Sequence, residues 1–239
     1  MKKLLILLTL CSLNAQAQSF QSILKKATEI ASGAQKTGLS SDDIANGLKE
    51  ALRVGAEKGC STLAKPDGFF KNAALKILMP PEATKVENTL RSVGLNQLAD
   101  DFILSMNRAA EDASATAAPI FVNAIKQITI TDGLTILRGD ETAATTYLRS
   151  KTTDNLKSTF NPIVKTSLDK VKATQYWERA ITAYNAIPFS NKKINPDLSA
   201  YVTEKAMEGI YSEIAKQEKD IRANPMARTT ELLKRVFEK

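Results

Sequence analysis

Between residues 96 and 128 apolar and small side chains recur in steps of three and four: Leu98, Phe102, Met106, Ala109, Ala113, Ala117, Ile120, Ala124 and Ile128. That period places them on one helical stripe. Ile103, Ala110, Phe121 and Ile125 run beside it, so burial on more than one side is expected. The alanines in the middle let neighbouring helices come close. The pattern predicts a long central helix over 96–128, about 50 Å if unbroken, with the rest of the chain packed around it. Pro119 should kink or break it, because proline cannot donate to the Ala115 carbonyl.

The flanking patterns are helical too. Phe20, Ile23, Leu24, Ala27 and Ile30 share a face over 19–32, and 33–38 is a break bounded by glycines. Ser40 followed by Asp43 resembles a capping box with Asp in place of Glu. Ile44, Leu48, Ala51, Leu52 and Gly55 then mark a helix to about Leu63. Within it, Gly55 and Gly59 are spaced for a close helix crossing. Lys65, Pro66, Asp67 and Gly68 signal a turn. Pro81 and Glu82 suit the first turn of a third helix that carries Val86, Leu90 and Val93 and ends at Gly94, with Leu95 beyond the cap.

After the central stretch, 131–137 reads as a short connection. Asp140 can cap a helix holding Ala143, Ala144, Tyr147 and Leu148, and 152–161 is a further helical piece. Asn161-Pro162, Asn195-Pro196 and Asn224-Pro225 read as helix starts, leading to 163–171, 198–221 and 226–237. Another helix is expected over 174–186. The β-branched run at 128–131 is the one strand candidate and is too short to carry weight. The fold class expected is all-α: a single helical bundle of roughly nine or ten helices in one domain, 18–239.

The first seventeen residues stand apart from that domain. Lys2 and Lys3 precede a short apolar run over 4–10, and Ala15-Gln16-Ala17 offers small residues for signal peptidase. A signal peptide cleaved between Ala17 and Gln18 is expected, and with it a periplasmic location. The apolar run is far shorter than the ~20 residues a membrane span needs. Cys11 follows Leu10, where a lipid-attachment site needs a small residue. No later stretch is apolar enough to span, so no transmembrane segment is expected in the mature chain.

Removing Lys2 and Lys3 leaves 31 basic side chains against 26 acidic ones, a charge of +5. The charges are mixed along the chain, without a basic run interleaved with aromatics, so nucleic acid is not an expected partner. Weak contact with an anionic surface remains compatible with this balance. Cys60 is the one cysteine left after cleavage, which excludes an intrachain disulfide and fits a small buried apolar residue. The chain has no histidine. That excludes Ser-His and Cys-His triads and His-ligated zinc. No Gly-rich phosphate loop, cysteine pair or calcium loop is present, so no catalytic residue, metal ligand or cofactor is assigned.

Two constellations remain. Asn107, Arg108, Glu111 and Asp112 interrupt the central stripe, with Arg108 three residues before Glu111 and four before Asp112. The plain reading is a solvated face with local ion pairs of ~0.2–0.5 kcal/mol each. The functional reading is a polar pocket in which Arg108 binds an anion and Glu111 orients it. Tyr176, Trp177, Tyr184, Ile187, Pro188 and Phe189 are the densest aromatic content. They form either a satellite core or the wall of a ligand pocket in which Tyr184 and Asn185 supply hydrogen bonds. The basic segment 226–237 has an apolar side for docking on the bundle and cations suited to a membrane surface.

KPDGFF (65–70), FILSMNRAAEDA (102–113), YNAIPF (184–189) and NPMARTTELLKRVF (224–237) together resemble the bacterial domain-of-unknown-function family 4197. The resemblance implies a single exported domain of Gram-negative bacteria. It brings no assigned activity and no catalytic residues. The function expected is therefore binding of a small ligand or an envelope protein partner without catalysis. The alternatives are an enzyme with a histidine-free site built on Arg108, Glu111 and a tyrosine, or a cell-envelope scaffold using the basic terminal segment.

Overall fold

A computed structural model of the chain describes residues 40–175, 177, 178, 182 and 197–224. The signal segment, the 19–32 helix, Tyr184, Asn185 and the basic 226–237 segment lie outside these residues.

Helix α1 (Ser41–Leu63) begins with the expected capping box. The Asp43 amide donates to Ser40 Oγ at 3.1 Å, and the Ser40 amide donates back to Asp43 Oδ2 at 3.0 Å. Asp thus performs the reciprocal bond usually made by Glu. The helix buries Ile44, Leu48, Leu52, Ala56, Cys60 and Leu63 along one face. The chain then turns at Asp67, which sits at φ +70°, a conformation Asp tolerates better than most residues. Gly68 follows where a Cβ would come within 2.6 Å of the Leu63 carbonyl oxygen, so no larger residue fits. From there to Met79 the chain is an irregular strap.

A 3-10 turn (Pro81–Ala83) feeds α2 (Thr84–Ser92). Gly94, at φ +83°, ends it, and the Leu95 amide reaches back to the Leu90 carbonyl at 2.8 Å. This is the glycine cap expected from sequence. Helices α3 (Asn96–Ser114) and α4 (Ala117–Lys126) replace a single 96–128 rod. The break at Ala115 and Thr116 falls where Pro119 withholds its donor. Helix α5 (Ile130–Arg138) occupies what the sequence reading assigned to a connection. Its start is a second capping box, Thr129 with Asp132. Helices α6 (Ala143–Lys170) and α7 (Leu198–Ala223) complete the set.

Among the described residues seven α-helices and one 3-10 turn are bounded, and no strand occurs. The all-α class holds, while the expected nine or ten helices are corrected. The main reason is α6, which fuses three expected pieces. Asn161-Pro162 does not start a helix; Pro162 lies inside one. Leu148, Leu156, Phe160, Val164 and Leu168 are each fully buried on both sides of it. That continuous apolar line outweighs the one hydrogen bond to Ser158 that proline removes. Likewise α7 is capped by Asp197, whose Oδ1 accepts from the Ala200 amide at 3.1 Å.

The middle of the bundle is shared. Met106, Ala109, Ala110 and Ala113 of α3 are fully buried, but Leu98 at its start is 55 % exposed. Helix α7 is buried over most of its circumference, with Val202, Ala206, Ile210, Tyr211 and Ile214 in the core. Gly55 and Gly59 of α1 lie against Gln217 and Ile214 of α7, the close crossing that their spacing implied. Because Ala109 and Ala113 have no exposed surface, Ala109→Leu or Ala113→Leu is expected to cost ~1–3 kcal/mol by overpacking. A thermal melt of each variant measures it; unchanged midpoints would place those alanines away from the core.

No single described helix is long and apolar enough to cross a membrane.

Candidate functional site

Asn107, Arg108 and Glu111 converge on the strap rather than on solvent. Asn107 is fully buried and holds Ile77 by both backbone groups: the Ile77 amide donates to Oδ1 at 2.9 Å, and Nδ2 donates to the Ile77 carbonyl at 2.8 Å. Its Nδ2 also donates to the Ile103 carbonyl at 2.7 Å. Glu111, 3 % exposed, accepts at Oε1 from the amides of Phe69 (3.1 Å) and Phe70 (3.3 Å). Its Oε2 accepts from Arg108 Nη1 at 2.6 Å, while Arg108 Nη2 donates to Asp67 Oδ1 at 2.7 Å. Lys71 completes the chain of charges on Asp67 at 2.8 Å.

The electrostatics follow from these bonds. Lys71 first, then Arg108, holds the Asp67 carboxyl below its ordinary range. Glu111, then Asp67, pushes the Arg108 guanidinium further toward its charged form. The cluster therefore acts as a lock on the strap, pinning Phe69 into the core against Gly209. A Cβ added at Gly209 would stand 2.5 Å from the Phe69 ring. Sequence reading singled out three members of the cluster; Asp67 was read only as part of a turn, since nothing local links it to a helix 41 residues away.

Beside the lock lies a cleft of about 510 Å³ between α3 and the end of α6. Leu98, Phe102, Leu104, Val171 and Ala173 give it an apolar lining, and Asp101, Ser105, Arg108, Asp112, Ser167 and Lys170 edge it. Ser167 Oγ donates to Asp112 Oδ2 at 2.6 Å and ties the two helices together at one end. Trp177 stacks behind Phe102, with ring centroids 6.0 Å apart and planes 22° apart. It is 6 % exposed, and its indole N–H has no hydrogen-bond partner among the described residues. Among the described residues of the constellation read from sequence, Arg108 and Asp112 edge this cleft, and Asn107 and Glu111 do not line it. Leu104 and Val171 carried no signal, because their half-open position is a property of the assembled helices. A second cleft of similar size is lined by charged groups, among them Lys165 and Asp169, which pair at 2.6 Å.

Cys60 is buried, and that burial pushes its thiol up to about 12. It is a protonated core residue at neutral pH, not a nucleophile. Among the described residues no group of three or more acidic or cysteine side chains is placed to hold a metal ion.

A family model described as "Protein of unknown function (DUF4197)" matches residues 38–238. No curated protein and no solved structure matches the chain.

Proposed function

Since the chain belongs to the DUF4197 family, whose description assigns no activity, we propose a function from the cleft itself: an exported, periplasmic, non-enzymatic protein that binds a small apolar ligand between α3 and the end of α6. The observation that carries this reading is the apolar lining of a half-open cleft whose volume, about 510 Å³, falls in the range that holds small molecules. The neighbouring polar groups support binding over chemistry. Asn107, Arg108 and Glu111 each have partners within the chain, and the sequence offers no histidine as a base. Export rests on the basic start, the short apolar run and the Ala15-Gln16-Ala17 site.

One preparation tests both halves. The full chain, expressed in a Gram-negative host, should be recovered from the periplasmic fraction with Gln18 as its first residue. Trp177 is the sole tryptophan and sits one ring away from the cleft. Titration with the apolar dye N-phenyl-1-naphthylamine should therefore give saturable energy transfer from Trp177. Val171→Glu puts a carboxylate at the mouth on a side chain already 56 % exposed, and should weaken the dye by about tenfold or more with the fold intact. Cytoplasmic retention removes the export reading. Absent transfer, or transfer indifferent to Val171→Glu, removes the cleft.

A further inference from the structure

The charged cleft, of about 510 Å³, opens where α6 ends and α7 begins. Asn161, Lys165 and Asp169 stand one turn apart along α6 and form one wall. Thr174 and Glu178 follow just past the end of α6, and Asp197 and Ser199 bring in the start of α7. The charges on this lining do not balance. Among the described residues Asp169, Glu178 and Asp197 share it with one ammonium, that of Lys165, an excess of two negative charges. The α7 N-terminus offsets only about half a charge, and Asp197 already accepts from the Ala200 amide there at 3.1 Å. An anion is therefore the wrong ligand for this cleft.

Independently of the charges, Ser199 points to a ligand. It lines the cleft, is only 4 % exposed, and its hydroxyl has no hydrogen-bond partner among the described residues. A hydroxyl buried to that degree is ordinarily paired. The carboxylates show which kind of cation suits it. Among the described residues no group of three or more acidic side chains is drawn together tightly enough to hold a metal ion. The cation they do accept is an alkylammonium. Asp169 Oδ2 accepts from Lys165 Nζ at 2.6 Å, and Asp169 first, then Asp197 and Glu178, raises that ammonium above its ordinary range. Asp169 also accepts from the Thr174 hydroxyl, whereas Glu178 makes no salt bridge among the described residues.

We propose that this cleft is a binding site for an aliphatic diamine, a dication that matches the two-charge excess of its lining. Glu178 and Asp197 draw the ammonium groups, and Ser199 Oγ accepts a hydrogen bond from one of them. The site is separate from the apolar cleft between α3 and the end of α6, and its test does not depend on that one.

Isothermal titration of the purified chain with putrescine, at an ionic strength of about 0.01 M where exposed charges are little screened, should give saturable binding of one equivalent. The monoamine n-butylamine, which lacks the second ammonium, should bind about tenfold more weakly or worse. Glu178→Gln removes one exposed charge and should weaken putrescine about tenfold. Ser199→Ala changes no charge and breaks no bond among the described residues, and should weaken it about three- to tenfold. Melting temperatures of both variants should match wild type. Glu57→Gln is the control: it makes the same charge change on α1, at a side chain that pairs with Arg53 and does not line the cleft, and should leave binding unchanged. A wild type without saturable binding overturns the proposal. So does binding indifferent to both cleft variants, binding weakened equally by Glu57→Gln, or n-butylamine binding as tightly as putrescine.

Discussion

Glu218→Ala is expected to destabilise the chain by about 3–5 kcal/mol, the cost of removing one partner from a buried charged network. Helix α6 starts at Ala143 behind Thr142, whose side chain makes no cap. Its first free amides are satisfied from 73 and 74 residues away. Ala144 N donates to Glu218 Oε1 at 3.0 Å, Thr145 N to Oε2 at 2.9 Å, and Thr145 Oγ1 to Oε2 at 2.8 Å. The carboxylate also sits at the positive end of the α6 dipole. Arg222, one turn along α7, donates to Glu218 Oε1 from Nε (3.0 Å) and Nη2 (2.9 Å). Its Nη2 and Nη1 continue to the carbonyls of Ile136 (2.9 Å) and Leu137 (3.3 Å) at the end of α5. One ion pair therefore closes two helix ends at the 137–143 corner. The side chains are 5 % and 17 % exposed, so water does not substitute readily.

The comparison with Arg222→Ala separates this role from an ordinary pair four residues apart. If the two side chains did no more than attract each other, either deletion would cost a similar ~0.2–0.5 kcal/mol. In the observed geometry Glu218 keeps three donors when Arg222 is removed, so Arg222→Ala should cost less, ~1–3 kcal/mol. Glu218→Gln should fall between, because its amide nitrogen cannot accept from the α6 amides. Urea unfolding at unchanged slope gives all three values. Equal small losses for Glu218→Ala and Arg222→Ala would show that the corner does not depend on the pair.

These contrasts explain what the sequence could convey. Local signals read well: the Ser40–Asp43 capping box, the Gly94 cap and the Gly55–Gly59 crossing all stand where spacing put them. The Thr129–Asp132 box has the same form and was passed over, because the β-branched run around it obscured the start of α5. Asn161-Pro162 misled in the opposite direction. A local start signal was overridden by a buried line of Leu148, Leu156, Phe160, Val164 and Leu168 that only tertiary packing makes continuous. Arg108 and Glu111 looked like a solvated pair three residues apart. Their roles depend on Asp67 and on two backbone amides in the strap, and no periodicity links those groups to α3. The cleft was the least legible feature, since its lining combines a half-turned face of α3 with the last turn of α6.

Glu111→Ala should produce a second large loss, ~3–5 kcal/mol, together with a signature that Glu218→Ala lacks. The Glu111 side chain is 4 % exposed, and three donors depend on it: the amides of Phe69 and Phe70, and Arg108 Nη1. Its loss leaves the two amides without an acceptor next to a fully buried Phe69. The cheapest response is for the strap to leave α3, taking Phe69 off Gly209 while the helices persist. Arg108→Ala should be milder, because that side chain is 41 % exposed and its pairs are partly screened by solvent. Limited trypsin digestion distinguishes the outcomes. In Glu111→Ala, cleavage after Lys71 and Lys76 should accelerate at temperatures where helical circular dichroism is still native. Asn107→Ala, which frees Ile77 at the other end of the strap, should accelerate cleavage at Lys76 most. If Glu111→Ala loses stability but the strap resists trypsin as well as wild type does, the carboxylate supports the core in some other way and the lock is not what holds residues 65–79.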